Sequence, residues 1–123
     1  MTVERFPNAV SSVAKARHMV SGLLAEAPSE ARDAAEMLVS EVVTNCVRHT
    51  SSDFMVSVEI TDDVIRVEVT DWGAGDPIVK HPAPSEPNGR GLQIVEMLAS
   101  RWGIEPVGSA GKTVWFEILL QTA

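Results

Sequence analysis

The chain predicts an α+β two-layer sandwich, with one mostly antiparallel mixed sheet and about three helices on one face. Three observations carry this. Residues 55–61 and 64–70 alternate apolar and polar side chains on either side of Asp62-Asp63, which is the pattern of a hairpin with one buried face. Two earlier stretches repeat apolar residues every three or four positions, which is the pattern of helices with one buried stripe. A second strand pair, 104–107 and 114–120, closes the chain around Gly108 and Gly111.

The elements follow in order. Residues 3–6 read as a short edge strand ended by Pro7, since proline cannot donate to a ladder. Residues 8–27 bring Ala9, Val13, Ala16, Val20, Leu23 and Ala27 onto one helix face, with Asn8 as N-cap and Pro28 as the break. Ser29 caps a second helix, with Glu30 and Asp33 near its positive end. It runs to His49 and buries Ala31, Ala35, Leu38, Val39, Val42 and Cys46. In the first hairpin Val56, Val58 and Ile60 share one side, as do Ile65, Val67 and Val69. Residues 76–88 hold Pro77, Pro82, Pro84 and Pro87 without a period and read as an exposed loop. A third helix is expected over residues 90–101, with Leu92, Val95, Leu98 and Ala99 inward. The order is β-α-α-β-β-loop-α-β-β, with no internal repeat.

A length of 123 residues gives one domain with a single core. Hydrophobic residues make up 45 % and charged residues 22 %, as in ordinary globular chains. No apolar run approaches a membrane span, and the N-terminus lacks the basic-then-apolar pattern of a signal peptide. The one cysteine, Cys46, excludes an internal disulfide, so the expected compartment is reducing and cytoplasmic. A net charge of −7 argues against nucleic acid as a partner. An anionic ligand would need local help from a metal, backbone N–H groups and a few cations.

Three stretches do not fit a plain core. In residues 41–49, helix geometry puts Asn45 on the flank of the buried stripe, with Glu41 one turn earlier and His49 one turn later. A buried amide without a partner costs about 1–3 kcal/mol. Asn45 therefore needs either a neighbouring strand or water, or else a ligand such as Mg²⁺. Asp71 keeps the parity of Ile65, Val67 and Val69, so its carboxylate continues the apolar face. It either bonds loop amides or receives the amino group of a flat ligand, adenine being the obvious one. Guanine presents a carbonyl there and would leave Asp71 facing an acceptor. Gly73 and Gly75 follow and let something come close. The block Gly89-Arg90-Gly91-Leu92 opens the third helix, and free N–H groups at a helix start attract phosphate. Trp72 is a candidate for base stacking or for packing. No P-loop pattern occurs, no serine is clearly paired with histidine, and His18 and His81 have no partners at metal-ligand spacing.

Taken together, these stretches resemble the GHKL ATP-binding fold of histidine-kinase catalytic domains, gyrase-type ATPases and anti-sigma-factor serine kinases. The helix bearing Glu41 and Asn45 resembles its N box. Asp71-x-Gly73-x-Gly75 resembles its first glycine box, and Gly89-x-Gly91 its second. The resemblance implies that Asn45 holds Mg²⁺, Glu41 orients or deprotonates the nucleophile, and Asp71 receives the adenine amino group. It further implies that Gly73, Gly75, Gly89, Arg90, Gly91 and Leu92 shape the base and phosphate contacts, under an ATP lid at 76–88. Many relatives place a threonine directly after the glycine that opens the last strand, where it helps bind adenine through water. Here Lys112 follows Gly111 and the threonine is Thr113, so Lys112 and Thr113 are the candidates for that contact.

Among subfamilies, the compact anti-sigma-factor serine kinases fit best. The chain shows no phosphoacceptor helical hairpin and has no room for a transducer domain. This resemblance implies transfer of the ATP γ-phosphate to a serine on an antagonist protein. A sigma factor would compete for the same surface, and homodimerisation is compatible. The rival expectation is an ATP-gated protein-binding module with little catalysis.

Overall fold

The computed structural model describes residues 1–73, 98–108 and 111–120. Five strands form one sheet in the order β1-β2-β3-β5-β4, with every neighbouring pair antiparallel. These are β1 (Thr2–Phe6), β2 (Phe54–Ile60), β3 (Val64–Asp71), β4 (Arg101–Val107) and β5 (Gly111–Leu119). Two helices, α1 (Ser11–Leu23) and α2 (Ser29–His49), are described; α2 lies against β3 and β5, and α1 packs on α2. The α+β expectation holds. The third expected helix falls largely on residues outside the described ones, and Arg101, expected to end it, opens β4 instead.

Side-chain alternation builds the sheet's two faces. On β3, Ile65, Val67, Val69 and Asp71 are buried while their neighbours are half-buried. Cross-strand register sets Ile65 opposite Ile60 and Ile118, Val67 opposite Val58 and Phe116, and Val69 opposite Val56 and Val114. That face meets Leu38, Val39, Val42 and Val43 of α2, with Ala16 and Val20 of α1 beyond. Each fully buried side chain of this size contributes about 1.5–3 kcal/mol.

The other face is held by charge. Arg66 Nε lies 2.8 Å from Glu68 Oε2, and its Nη1 lies 2.9 Å from Glu117 Oε2. Arg101 Nη2 is 2.6 Å from Glu117 Oε1, which ties β4 to β5. The Arg66 guanidinium also covers the Trp115 ring at 4.3 Å.

Both expected helix caps are replaced. Val10, not Asn8, precedes α1, and no side chain caps it. Asn8 Nδ2 instead donates to the backbone oxygens of Thr50 and Ser52, each at 3.0 Å. The Ser12 hydroxyl donates to Pro7 O at 2.7 Å and secures the start of α1. Pro28 occupies the position before α2 with ψ 141°, so Ser29 is drawn into the first turn and caps nothing. Helix α1 ends at Leu23 rather than at 27, and turn bonds such as Ala27 N–H to Leu24 O carry the chain to Pro28.

Candidate functional site

Helix α2 carries Glu41, Asn45 and His49 at four-residue spacing along one edge. Asn45 is buried, and its Nδ2 has no hydrogen-bond partner among the described residues. His49 Nε2 is likewise buried and unpaired, and Glu41 is half-buried. A buried amide donor left without a partner is a costly feature for a chain to keep, and it is the kind of orphan a bound ligand satisfies.

The residue after Asn45 links this helix edge to the end of β3. Cys46 Sγ lies 3.9 Å from Asp71 Oδ2 and 3.7 Å from Thr50 Oγ1. Cys46, the residue after Asn45, thus carries a contact between α2 and the end of β3. Cys46 is the small buried filler its position predicts. Burial pushes its thiol up to about 11, helped by the Asp71 charge and opposed by the Thr50 hydrogen bond and by Lys112.

Asp71 is not waiting for a partner. Its Oδ1 accepts the Gly73 N–H at 3.1 Å. Its Oδ2 lies 2.9 Å from Lys112 Nζ, with the two side chains only 3 % and 7 % exposed. The register explains the pair: Asp71 stands directly opposite Lys112 across β3 and β5, on the buried face. Gly111 makes the approach possible, because a Cβ there would meet Asp71 O at 2.7 Å and Val107 O at 2.9 Å. The Lys112 ammonium balances the charge yet makes no aligned hydrogen bond among the described residues, so toward them it keeps donors to spare.

The same alternation decides between Lys112 and Thr113. Thr113 faces the opposite side of the sheet, where its hydroxyl shares a 2.8 Å hydrogen bond with that of Thr70. The structure brings Lys112 to Asp71 and sets Thr113 on the other face of the sheet. Trp72 also turns outward. It is 40 % exposed, and the Arg5 guanidinium sits 5.4 Å from its ring centroid.

Gly73 keeps the end of β3 tight against α2. A Cβ at Gly73 would meet Thr50 Cβ at 2.6 Å. Thr50 is in turn fixed by its N–H and hydroxyl bonds to Cys46 O and by Asn8. The loop at 76–88 and Gly75, Gly89, Arg90, Gly91 and Leu92 lie outside the described residues. Among the described residues no three His, Cys, Asp or Glu side chains group as a metal site, and no described helix is long and apolar enough to cross a membrane.

A family profile for the histidine kinase-like ATPase domain matches residues 6–118. The chain belongs to the histidine kinase-like ATPase family. Its fold is similar to that of two solved histidine kinase structures. The histidine kinase domain of the blue-light activated histidine kinase from Erythrobacter litoralis EL346 aligns with TM-score 0.60 and 22 % identity, covering 94 % of this chain and 62 % of that one. The Acinetobacter baumannii histidine kinase AdeS aligns with TM-score 0.56 and 12 % identity, covering 99 % and 69 %. This chain thus spans less than two thirds of the first structure's length. No curated protein matches it. Within a histidine kinase-like ATPase domain, the Lys112 counter-ion is the feature that reading the residues singly misses. Cross-strand parity could have found it, because Asp71 and Lys112 fall on the same face once β3 and β5 are paired.

Proposed function

We propose that this histidine kinase-like ATPase domain binds ATP with Mg²⁺ and acts as a serine protein kinase of the anti-sigma-factor type. The observation that carries the nucleotide site is the buried amide of Asn45, whose Nδ2 has no partner among the described residues. The unpaired Nδ2 is a donor suited to a phosphate oxygen, and the side-chain oxygen of the same amide is the atom that would take Mg²⁺, whose octahedral shell is usually completed by phosphate oxygens and water. When bound, the ion would neutralise charge on the phosphates. Asn45 holds that end of the ligand through its side-chain oxygen. Asp71 takes the base. Gly75, Gly89, Arg90, Gly91 and Leu92 serve the base and phosphate contacts, and residues 76–88 act as the lid.

Glu41, one turn before Asn45, orients the partner's serine hydroxyl and accepts its proton. The serine oxygen attacks the γ-phosphorus, the bond from that phosphorus to the β,γ-bridging oxygen breaks, and ADP leaves. Rate comes mainly from positioning and charge neutralisation. The partner is a small antagonist protein presenting a serine, with a sigma factor competing for the same surface.

The test is phosphoryl transfer from γ-labelled ATP to recombinant antagonist proteins, with wild type and Glu41→Gln. Label on a partner serine that disappears in Glu41→Gln supports the kinase. Intact ATP and partner binding without label identifies an ATP-gated binding module instead. Wild-type transfer rates in Glu41→Gln would remove Glu41 from its role.

A further inference from the structure

We propose that Lys112 sets the base selectivity of this pocket, by competing with a purine's exocyclic amino group for the Asp71 carboxylate. The inference rests on the nucleotide-site reading above and deepens it.

Asp71 has two oxygens to offer. Oδ1 is already committed to the Gly73 N–H at 3.1 Å. Oδ2 is met by Lys112 Nζ at 2.9 Å and by Cys46 Sγ at 3.9 Å, so on the nucleotide-site reading a ligand has to share it. The position that a neutral amino donor would take is held by a full positive charge. Out of contact with water, an ammonium attracts a carboxylate far more strongly than a neutral amine can. The lysine is also poorly placed to leave. Its side chain is 7 % exposed, and its backbone is locked into the β3–β5 ladder opposite Asp71. A base amino group therefore gains little from Asp71 while Lys112 remains.

The ammonium also changes which base edges the pocket tolerates. Nζ carries three N–H groups, and among the described residues none makes an aligned hydrogen bond. A lone buried carboxylate would repel a purine carbonyl. A carboxylate with an ammonium beside it presents an acceptor and a donor together. A 6-keto purine can place its carbonyl oxygen on Lys112 and its ring N–H on Asp71. A 6-amino purine can place its ring nitrogen on Lys112 and share Asp71. Both edges are met, so the discrimination expected of Asp71 alone is blunted.

The experiment is calorimetric titration of ATP and inosine triphosphate, each with Mg²⁺, into the wild-type chain and Lys112→Met, with near-ultraviolet circular dichroism to check folding. The wild type should prefer ATP by no more than about tenfold. The methionine variant should prefer it by roughly 100-fold or more, because a carboxylate freed of its counter-ion rewards the amino group and rejects the carbonyl. Should the methionine variant not fold, Lys112→Arg keeps the counter-charge and is expected to hold the wild-type ratio. A wild-type preference above about 100-fold overturns the proposal whatever the variants do, as does an equal ratio in wild type and Lys112→Met. Absence of heat with either nucleotide in the wild type overturns the nucleotide site itself. Binding with an unchanged ratio overturns only the role of Lys112.

Discussion

The Lys112 ammonium lies 2.9 Å from the Asp71 carboxylate across two paired strands, and both side chains are almost wholly buried. The carboxylate that the sequence offers either to loop amides or to a base meets the Gly73 N–H and comes with its own cation. The two strands that build the core also build this pair.

Breaking the pair should be costly. Asp71→Asn or Lys112→Met alone leaves an uncompensated buried charge, and each should lower unfolding free energy by about 3–5 kcal/mol. The double variant should lose much less than the sum, with a coupling of about 2 kcal/mol or more. Urea unfolding of the four proteins measures it. Additive losses would show that the two groups do not depend on each other.

Gly73 should not tolerate a side chain. Alanine places Cβ 2.6 Å from Thr50 Cβ, so backbone must move, at about 1–3 kcal/mol. The urea midpoint should fall, and combining Gly73→Ala with Thr50→Gly should cost less than the two changes added together.

Cys46 should be inert in the folded chain. Its thiol is buried and, through desolvation first, sits at about 11, while the thiolate is the reactive form. An aromatic disulfide reagent at pH 8 should label it only after denaturant is added. Rapid labelling of the native protein would contradict the packing of α2 on Asp71.

Acid should weaken the outer face of the sheet. The Arg66 hydrogen bond, and Arg101 beyond it, outweigh burial and hold the Glu117 carboxyl below its ordinary 4.5. A lowered carboxylate stabilises fully above its unfolded value and loses that contribution as pH falls through the folded one. Glu117→Gln should therefore be less stable than wild type at pH 7, and the gap should narrow below about pH 4.5. A gap that stays constant down to pH 2.5 would remove the Arg66–Glu117–Arg101 cluster from the account.

Period and parity made most of the fold legible. The alternation around Asp62-Asp63 places the β2–β3 hairpin within a residue at either end, and the apolar spacing places α2 from Ser29 to His49. What failed was local and has local causes. Asn8 looks like a cap, but its amide is drawn to carbonyls more than 40 residues away, which no nearby pattern reveals. Arg101 reads as the end of a helix and the next strand as starting at Ile104, yet Arg101 pairs with Glu117, Trp102 with Phe116 and Gly103 with Trp115, so tertiary pairing overrides helical spacing. At the site, Asn45 and Asp71 are legible as polar residues on apolar faces. The identity of Asp71's partner is not, because it depends on which strand lies beside β3.

Calorimetric titration of Mg²⁺-ATP into the wild-type chain and Asn45→Ala tests whether the buried amide of α2 holds the nucleotide. Wild type should bind one nucleotide, more weakly once Mg²⁺ is withheld. Asn45→Ala should retain its fold but bind at least about tenfold more weakly and lose most of the Mg²⁺ dependence. Equal affinities in the two proteins, with the same response to Mg²⁺, would contradict the account.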